Sequence, residues 1–209
     1  MRCWESMPPR ARRRGRPARH LARRSVRSIL WRSKLERFGS GSSRCKAAEL
    51  AADGRPLYYI ATMIPTDDED RARIRRHVED RDGMGFITLE QPRDIAGLLE
   101  PGDGERRADP SGVFLLDSVT ALLANEMFRD GAYDPEAGEK VAEDLTRFCA
   151  LAEHAVFVSD YIYSEARRFD EFTENYRRSL ALVDRRLAAL CDAVCEVCYG
   201  TVLCRKGTI

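Results

Sequence analysis

Val113-Phe114-Leu115-Leu116-Asp117 is the stretch on which the fold turns. Four apolar residues without alternation read as a strand covered on both faces, and the carboxylate that follows marks its polar end. Runs of the same kind recur at Leu57–Ala61, Phe86–Leu89, Ala155–Ser159, Ala193–Val197 and Thr201–Cys204. Helical patterns lie between them. Asp67–Asp80 is highly charged and expected to be largely exposed, whereas Ser118–Arg129 is apolar enough to pack on a sheet. Pro135–Glu153 opens with a proline suited to a first helical turn. Phe172–Cys191 carries Tyr176, Leu180, Val183, Leu187 and Leu190 at steps of three and four, an amphipathic stripe. Strand–helix alternation predicts an α/β fold with a mostly parallel sheet and helices on both faces. Glu100–Gly112, rich in proline and glycine, reads as a surface loop. In such sheets ligands bind beyond the carboxyl ends of the strands.

The chain of 209 residues, 44% hydrophobic and 33% charged, suits one α/β domain. No apolar run approaches the roughly 18 to 20 residues of a spanning helix, so no membrane span is expected. A net charge of +1 conceals two unlike parts. Residues 1–37 hold 13 of the 35 Lys/Arg and 2 of the 34 Asp/Glu, leaving an acidic remainder. The basic segment has no sustained apolar period and is expected to be a disordered extension, with the folded domain at 38–209. A nucleic-acid or lipid-binding arm, a transit peptide and mistranslated upstream sequence are the alternatives for it. The acidic main domain continues no basic surface, so a nucleic-acid partner is not expected. Seven cysteines, an odd number, fit reduced thiols in the cytoplasm. A zinc site at Cys195-x-x-Cys198 is disfavoured, because residues three apart on a strand point to opposite faces.

Three segments carry chemistry. Phe38-Gly39-Ser40-Gly41-Ser42-Ser43-Arg44-Cys45, before a helix-like Lys46–Ala52, stands where a phosphate-binding loop would stand. Such a loop needs glycines to let backbone N–H groups wrap phosphates, a lysine on the β/γ oxygens and a hydroxyl on magnesium. Here Ser43, Arg44 and Cys45 replace the second glycine, the lysine and the hydroxyl, and a thiol is a poor ligand for that hard cation. Ser28-Ile29-Leu30-Trp31 is a poor version of the strand that should lead into it, so a plain Ser/Gly linker is the alternative. His77 closes a charged helix among Arg73, Arg75, Arg76 and Arg81. A partly neutral imidazole can attack a phosphoryl centre, and arginines suit a triphosphate; a surface histidine is the alternative. Asp117 ends its strand where a carboxylate can hold Mg²⁺, or it can cap the following helix.

The order of these segments resembles the bifunctional adenosylcobinamide kinase/adenosylcobinamide-phosphate guanylyltransferases of cobalamin biosynthesis. The resemblance spans residues 38–209 and rests on Tyr58-Tyr59-Ile60-Ala61-Thr62, Asp67-Asp68-Glu69 and Arg73-Ile74-x-x-His77-x-x-x-Arg81. Gly85-Phe86-x-Thr88-x-Glu90, Leu115-Leu116-Asp117-Ser118-Val119-Thr120, Asn125-Glu126-Met127-Phe128 and Val156-x-Val158-Ser159-Asp160 continue it. Leu187-Ala188-x-x-Cys191-Asp192-x-Val194 closes the set. The resemblance implies a P-loop NTPase-like (RecA-like) fold and two activities. One is phosphorylation of adenosylcobinamide by ATP or GTP. The other is GMP transfer from GTP to adenosylcobinamide phosphate through a GMP-histidine, with Mg²⁺ as cofactor. It places the guanylated histidine at His77 and nucleotide contacts at Ala61, Thr62, Met63, Val78, Glu79, Asp80, Arg81, Glu90 and Asp117. Gly39, Ser40, Gly41 and Ser42 match its phosphate loop; Ser43, Arg44 and Cys45 occupy loop positions but depart from it. These departures, with the leading strand taken as absent, imply an impaired kinase step. Asp160 stands where many relatives carry Asn. The resemblance also suggests a homotrimer. A catalytically silent nucleotide-fold module is the alternative from another class.

Overall fold

The computed structural model describes residues 28–33, 36–101, 107–160, 162, 167–198 and 201–209. Seven strands form one sheet: β1 (Ser28–Ser33), β2 (Leu57–Ala61), β3 (Phe86–Glu90), β4 (Val113–Asp117), β5 (His154–Asp160), β6 (Ala193–Cys198) and β7 (Thr201–Lys206). Their order is β3-β2-β4-β5-β1-β6-β7, and every pairing is parallel except the terminal β6–β7 hairpin. The helices are α1 (Glu36–Leu50), α2 (Asp68–Glu79), α3 (Val119–Met127), α4 (Ala137–Leu151) and α5 (Glu171–Leu190). The expected strands and four of the expected helices stand within a few residues of their sequence-derived bounds. The middle of the Glu100–Gly112 loop lies outside the described residues.

Two expectations at the amino-terminal side are corrected. The folded domain includes Ser28–Ser33, upstream of Phe38, because this segment is a strand inserted between β5 and β6. Ile29, Leu30 and Trp31 are 0%, 1% and 2% exposed, so a short run among basic residues supplies the inner strand taken as missing. The remainder of the basic segment, residues 1–27, lies outside the described residues. The following helix also starts earlier than Lys46: α1 runs from Glu36 through Gly39–Ser43, where the sequence suggested a loop.

The continuous apolar runs follow from cores on both sides of the sheet. Ile29, Trp31, Tyr59, Leu115, Val156, Val158 and Cys195 face α1 and its Ala47. Their neighbours Leu30, Ile60, Phe114, Leu116 and Phe157 face the other way, into the layer of α3, α4 and α5. Alternate side chains thus bury on opposite faces, and a strand with both faces covered shows no polar period. β3 departs from this pattern, since it is an edge strand paired only to β2, with Ile87 51% exposed. Sequence reading passed over the short 3₁₀ turn Ile95–Leu98. It is anchored by the buried Asp144 carboxylate of α4, which accepts from Ile95 N at 2.6 Å and Ala96 N at 3.1 Å.

Candidate active site

Parallel register aligns the carboxyl ends of four strands into one row. Glu90 of β3 pairs with Ala61 of β2, Ala61 with Asp117 of β4, and Asp117 with Val158 of β5. Two residues earlier, Thr88, Tyr59 and Leu115 form a second row on the same face. Beyond these rows opens a cavity of about 410 Å³, with Met63, Ser118, Ala121 and Asp160 also at its wall. Arg73, Ile74, His77, Val78 and Arg81 line it from the α2 side.

α2 is charged along its length and buries no residue, as its sequence suggested. Its ends explain why it forms. Asp67 is the N-cap and accepts from Asp70 N at 2.8 Å, while Asp70 in turn accepts from Thr66 N and Thr66 Oγ1. Asp68, Glu69 and Asp70 occupy the first turn and Arg76 and His77 the last, the arrangement the helix dipole favours. The crossover from β2 through α2 to β3 thereby brings His77 to the strand ends.

His77 has a quarter of its side chain exposed, and its Nδ1 lies 3.7 Å from Asp117 Oδ2. Tyr59, 3% exposed, donates its hydroxyl to the same Asp117 oxygen at 2.8 Å, and that hydroxyl oxygen lies 3.4 Å from His77 Nδ1. Burial, and secondarily the Asp117 charge, push the Tyr59 phenol far above its ordinary range, so it stays protonated. The Tyr59 ring meets Phe86 edge-on at 5.9 Å, and the Arg81 guanidinium lies 4.2 Å over its centre. Arg81 also donates to Thr88 Oγ1 at 3.2 Å. Tyr59 entered the sequence reading only within the Leu57–Ala61 strand and the Tyr58–Thr62 segment of the resemblance, with no role of its own. An aromatic hydroxyl two residues before a strand's end was the signal that could have found it.

The other expected residues separate into groups. Ala61, Met63, Val78, Arg81, Glu90 and Asp117 line the cavity with His77. Thr62 is fully buried, and its hydroxyl donates to Ser118 O at 2.9 Å and accepts from Ser118 N at 2.8 Å. It ties the end of β2 to the end of β4 instead of facing the cavity. Asp117 is not the cap of α3; Ser118 is, accepting from Ala121 N at 3.2 Å. The Asp117 carboxylate is therefore left to the cavity.

Glu79 and Asp80 end α2 outside the cavity wall, and Asp80 Oδ2 holds Arg44 Nη2 at 3.1 Å. Arg44 is 6% exposed, and its buried Nη1 has no hydrogen-bond partner among the described residues. Gly39, Ser40, Gly41, Ser42 and Ser43 lie on the helical backbone of α1, with Ser43 buried and Cys45 exposed. No cluster of three or more metal-ligating side chains exists among the described residues, the Cys195–Cys198 pair included. No helix among them is long and apolar enough to cross a membrane.

The family profile described as "Cobinamide kinase / cobinamide phosphate guanyltransferase" matches residues 38–204. No curated protein matches the chain. Among solved structures, one described as an ATPase domain superposes with a TM-score of 0.51 at 9% identity, covering 87% of this chain and 77% of that one. Flagellar accessory protein FlaH from Methanocaldococcus jannaschii gives 0.46 at 12% identity, with 87% and 79% covered. With the sheet order above, the first of these likenesses shows an α/β P-loop NTPase-like fold.

Proposed function

Since the chain belongs to the cobinamide kinase / cobinamide phosphate guanyltransferase family of cobalamin biosynthesis, we propose that it guanylates adenosylcobinamide phosphate through a covalent GMP on His77. One observation carries this reading. The imidazole stands at the wall of a nucleotide-sized cavity beyond the strand ends, beside the Asp117 carboxylate and on the same helix face as Arg73. An imidazole nitrogen attacks the α-phosphorus of GTP, an N–P bond forms, and the bond to the α,β-bridging oxygen breaks with pyrophosphate leaving. A phosphate oxygen of the corrinoid then attacks the same phosphorus and the N–P electron pair returns to the imidazole. Arg73 and Arg81 offset charge on the nucleotide, and the Glu90 carboxylate at the end of β3 is an acceptor for nucleobase N–H groups.

Magnesium fits the donor set in a limited way. Asp117 Oδ2 is committed to Tyr59, while Oδ1 remains for one bond to an ion that arrives with the nucleotide phosphates. Such an ion would neutralise phosphate charge. Cys45, where the family loop places a hydroxyl, supplies no hard ligand.

The kinase step on adenosylcobinamide is proposed to be weak in this chain. The Gly39–Ser43 backbone winds into α1, so its N–H groups enter intrahelical bonds rather than a phosphate-wrapping loop. Arg44, in the lysine position, spends one nitrogen on Asp80.

The guanylylation reading is tested with GTP labelled at the α-phosphate, on the full chain and on His77→Ala. Label that survives alkali, is lost in acid and disappears in the variant is the expected result. A folded wild-type chain that takes no label in the presence of magnesium and the corrinoid acceptor overturns it.

A further inference from the structure

Tyr59 has one hydroxyl proton, and that proton is spent on Asp117 Oδ2 at 2.8 Å. A hydrogen bond from a neutral hydroxyl to a carboxylate is among the stronger kinds, so the proton stays there rather than turning toward His77. Toward His77 Nδ1, 3.4 Å away, the Tyr59 oxygen can then act only as an acceptor. The second neighbour of Nδ1 is Asp117 Oδ2 at 3.7 Å, also an acceptor. Both groups facing Nδ1 therefore call for an N–H at that position.

We infer that Tyr59 is a positioning residue that holds His77 in its Nδ1–H tautomer, leaving the lone pair on Nε2 as the attacking atom. The inference rests on the guanylylation reading and adds to it which nitrogen reacts and what selects it. In the first step the Nε2 lone pair forms the N–P bond while the Nδ1 proton stays in place. The positive charge that develops on the ring faces the Asp117 carboxylate, and in the second step the N–P pair returns to Nε2 with no net proton change on the ring. The support behind Tyr59 is rigid: its backbone is in β2 between β3 and β4, and its ring is held between Phe86 and the Arg81 guanidinium.

The test compares the full-length chain with Tyr59→Phe, which keeps the ring and its two stacking partners and loses only the oxygen. The sequence has three histidines, so a two-bond proton–nitrogen spectrum of the ¹⁵N-labelled, nucleotide-free protein resolves them, with His77→Ala assigning the signal. At about pH 8, where an ordinary imidazole is neutral, wild-type His77 is expected as Nδ1–H, and Tyr59→Phe, which leaves only the more distant Asp117 carboxylate facing Nδ1, is expected to weaken that preference. With GTP, the phosphoramidate is expected on Nε2. The guanylylation rate of Tyr59→Phe should fall about ten- to hundredfold, as for other residues that orient a working imidazole, with the GTP KM nearly unchanged. A wild-type Nε2–H tautomer, a linkage at Nδ1, or a Tyr59→Phe variant with the wild-type tautomer and rate overturns the inference while leaving a labelled His77 intact. A wild-type chain that is never guanylated, whatever its tautomer, overturns the proposed function and the catalytic use of this contact with it.

Discussion

Removing β1 should unfold the domain, and the size of the effect can be worked from the structure. Consider a chain beginning at Phe38 beside a control beginning at Ser28. The shorter chain loses Ile29, Leu30 and Trp31, all at most 2% exposed. Burying each of these contributes about 1.5–3 kcal/mol, together about 5–9 kcal/mol. β1 also pairs in parallel with β5 on one side and β6 on the other, so its loss strips ladder bonds from both neighbours. At about 0.5–1.5 kcal/mol net for each such bond, the total reaches the whole stability of an ordinary domain, about 5–15 kcal/mol. The control offers a clean readout because it keeps Trp31 as its single tryptophan, Trp4 having been removed. Its emission should be blue-shifted and should move to the red in one cooperative urea transition, with circular dichroism following the same curve. The Phe38 chain should show no cooperative transition. If it unfolds cooperatively within about 1 kcal/mol of the control, β1 is not a working part of the sheet and the argument fails.

Two further outcomes are expected. Thr62→Val keeps the shape of a fully buried side chain but removes the acceptor for Ser118 N, while Ser118 O retains Leu122 N. One orphaned N–H and one lost bond should cost about 1.5–3 kcal/mol, against less than about 1 kcal/mol for Thr62→Ser. Urea unfolding measures both, and equal stability of the two variants would contradict the assigned role. Restoring the loop chemistry with Ser43→Gly, Arg44→Lys and Cys45→Ser together should raise ATP-dependent phosphorylation of adenosylcobinamide at least tenfold, which a γ-phosphate transfer assay reads. A native rate matching the repaired one removes the case for an impaired kinase step.

The central sheet was legible because both of its faces are buried. Leu57–Ala61, Val113–Leu116 and Ala155–Ser159 show unbroken apolar runs for that reason, and the structure places them next to one another. β1 was undervalued because its apolar run is no longer than Ile29, Leu30 and Trp31, and basic residues on either side mask so short a run. The family profile is silent there too, since its match begins at residue 38, downstream of the strand. Helix α1 was misjudged in the opposite sense. Glycine and serine lower helix propensity, so Gly39–Ser43 read as a loop, yet the segment is wound into a helix whose later turns bury Ser43, Arg44 and Ala47 against the sheet. Packing overrode local preference.

The site divides along the same line, and this bears on how two activities can part company in one chain. His77, Tyr59, Asp117 and Glu90 depend on β2, β3, β4 and the cap of α2, elements whose sequence signals and structure agree. The residues at the phosphate-loop positions lie within α1, where sequence expectation and structure diverge most. Arg44 links the halves, reaching from α1 to Asp80 just beyond the His77 turn. Its guanidinium is largely buried, so cutting Asp80 back would leave a desolvated charge on the α1 side rather than a free loop. Substitutions on the α1 side can therefore change that side while the row of strand ends that seats His77 keeps its register. On the proposed reading, guanylylation is the activity that this row of strand ends would serve, and the kinase step is the one that repair of the α1 positions would have to restore.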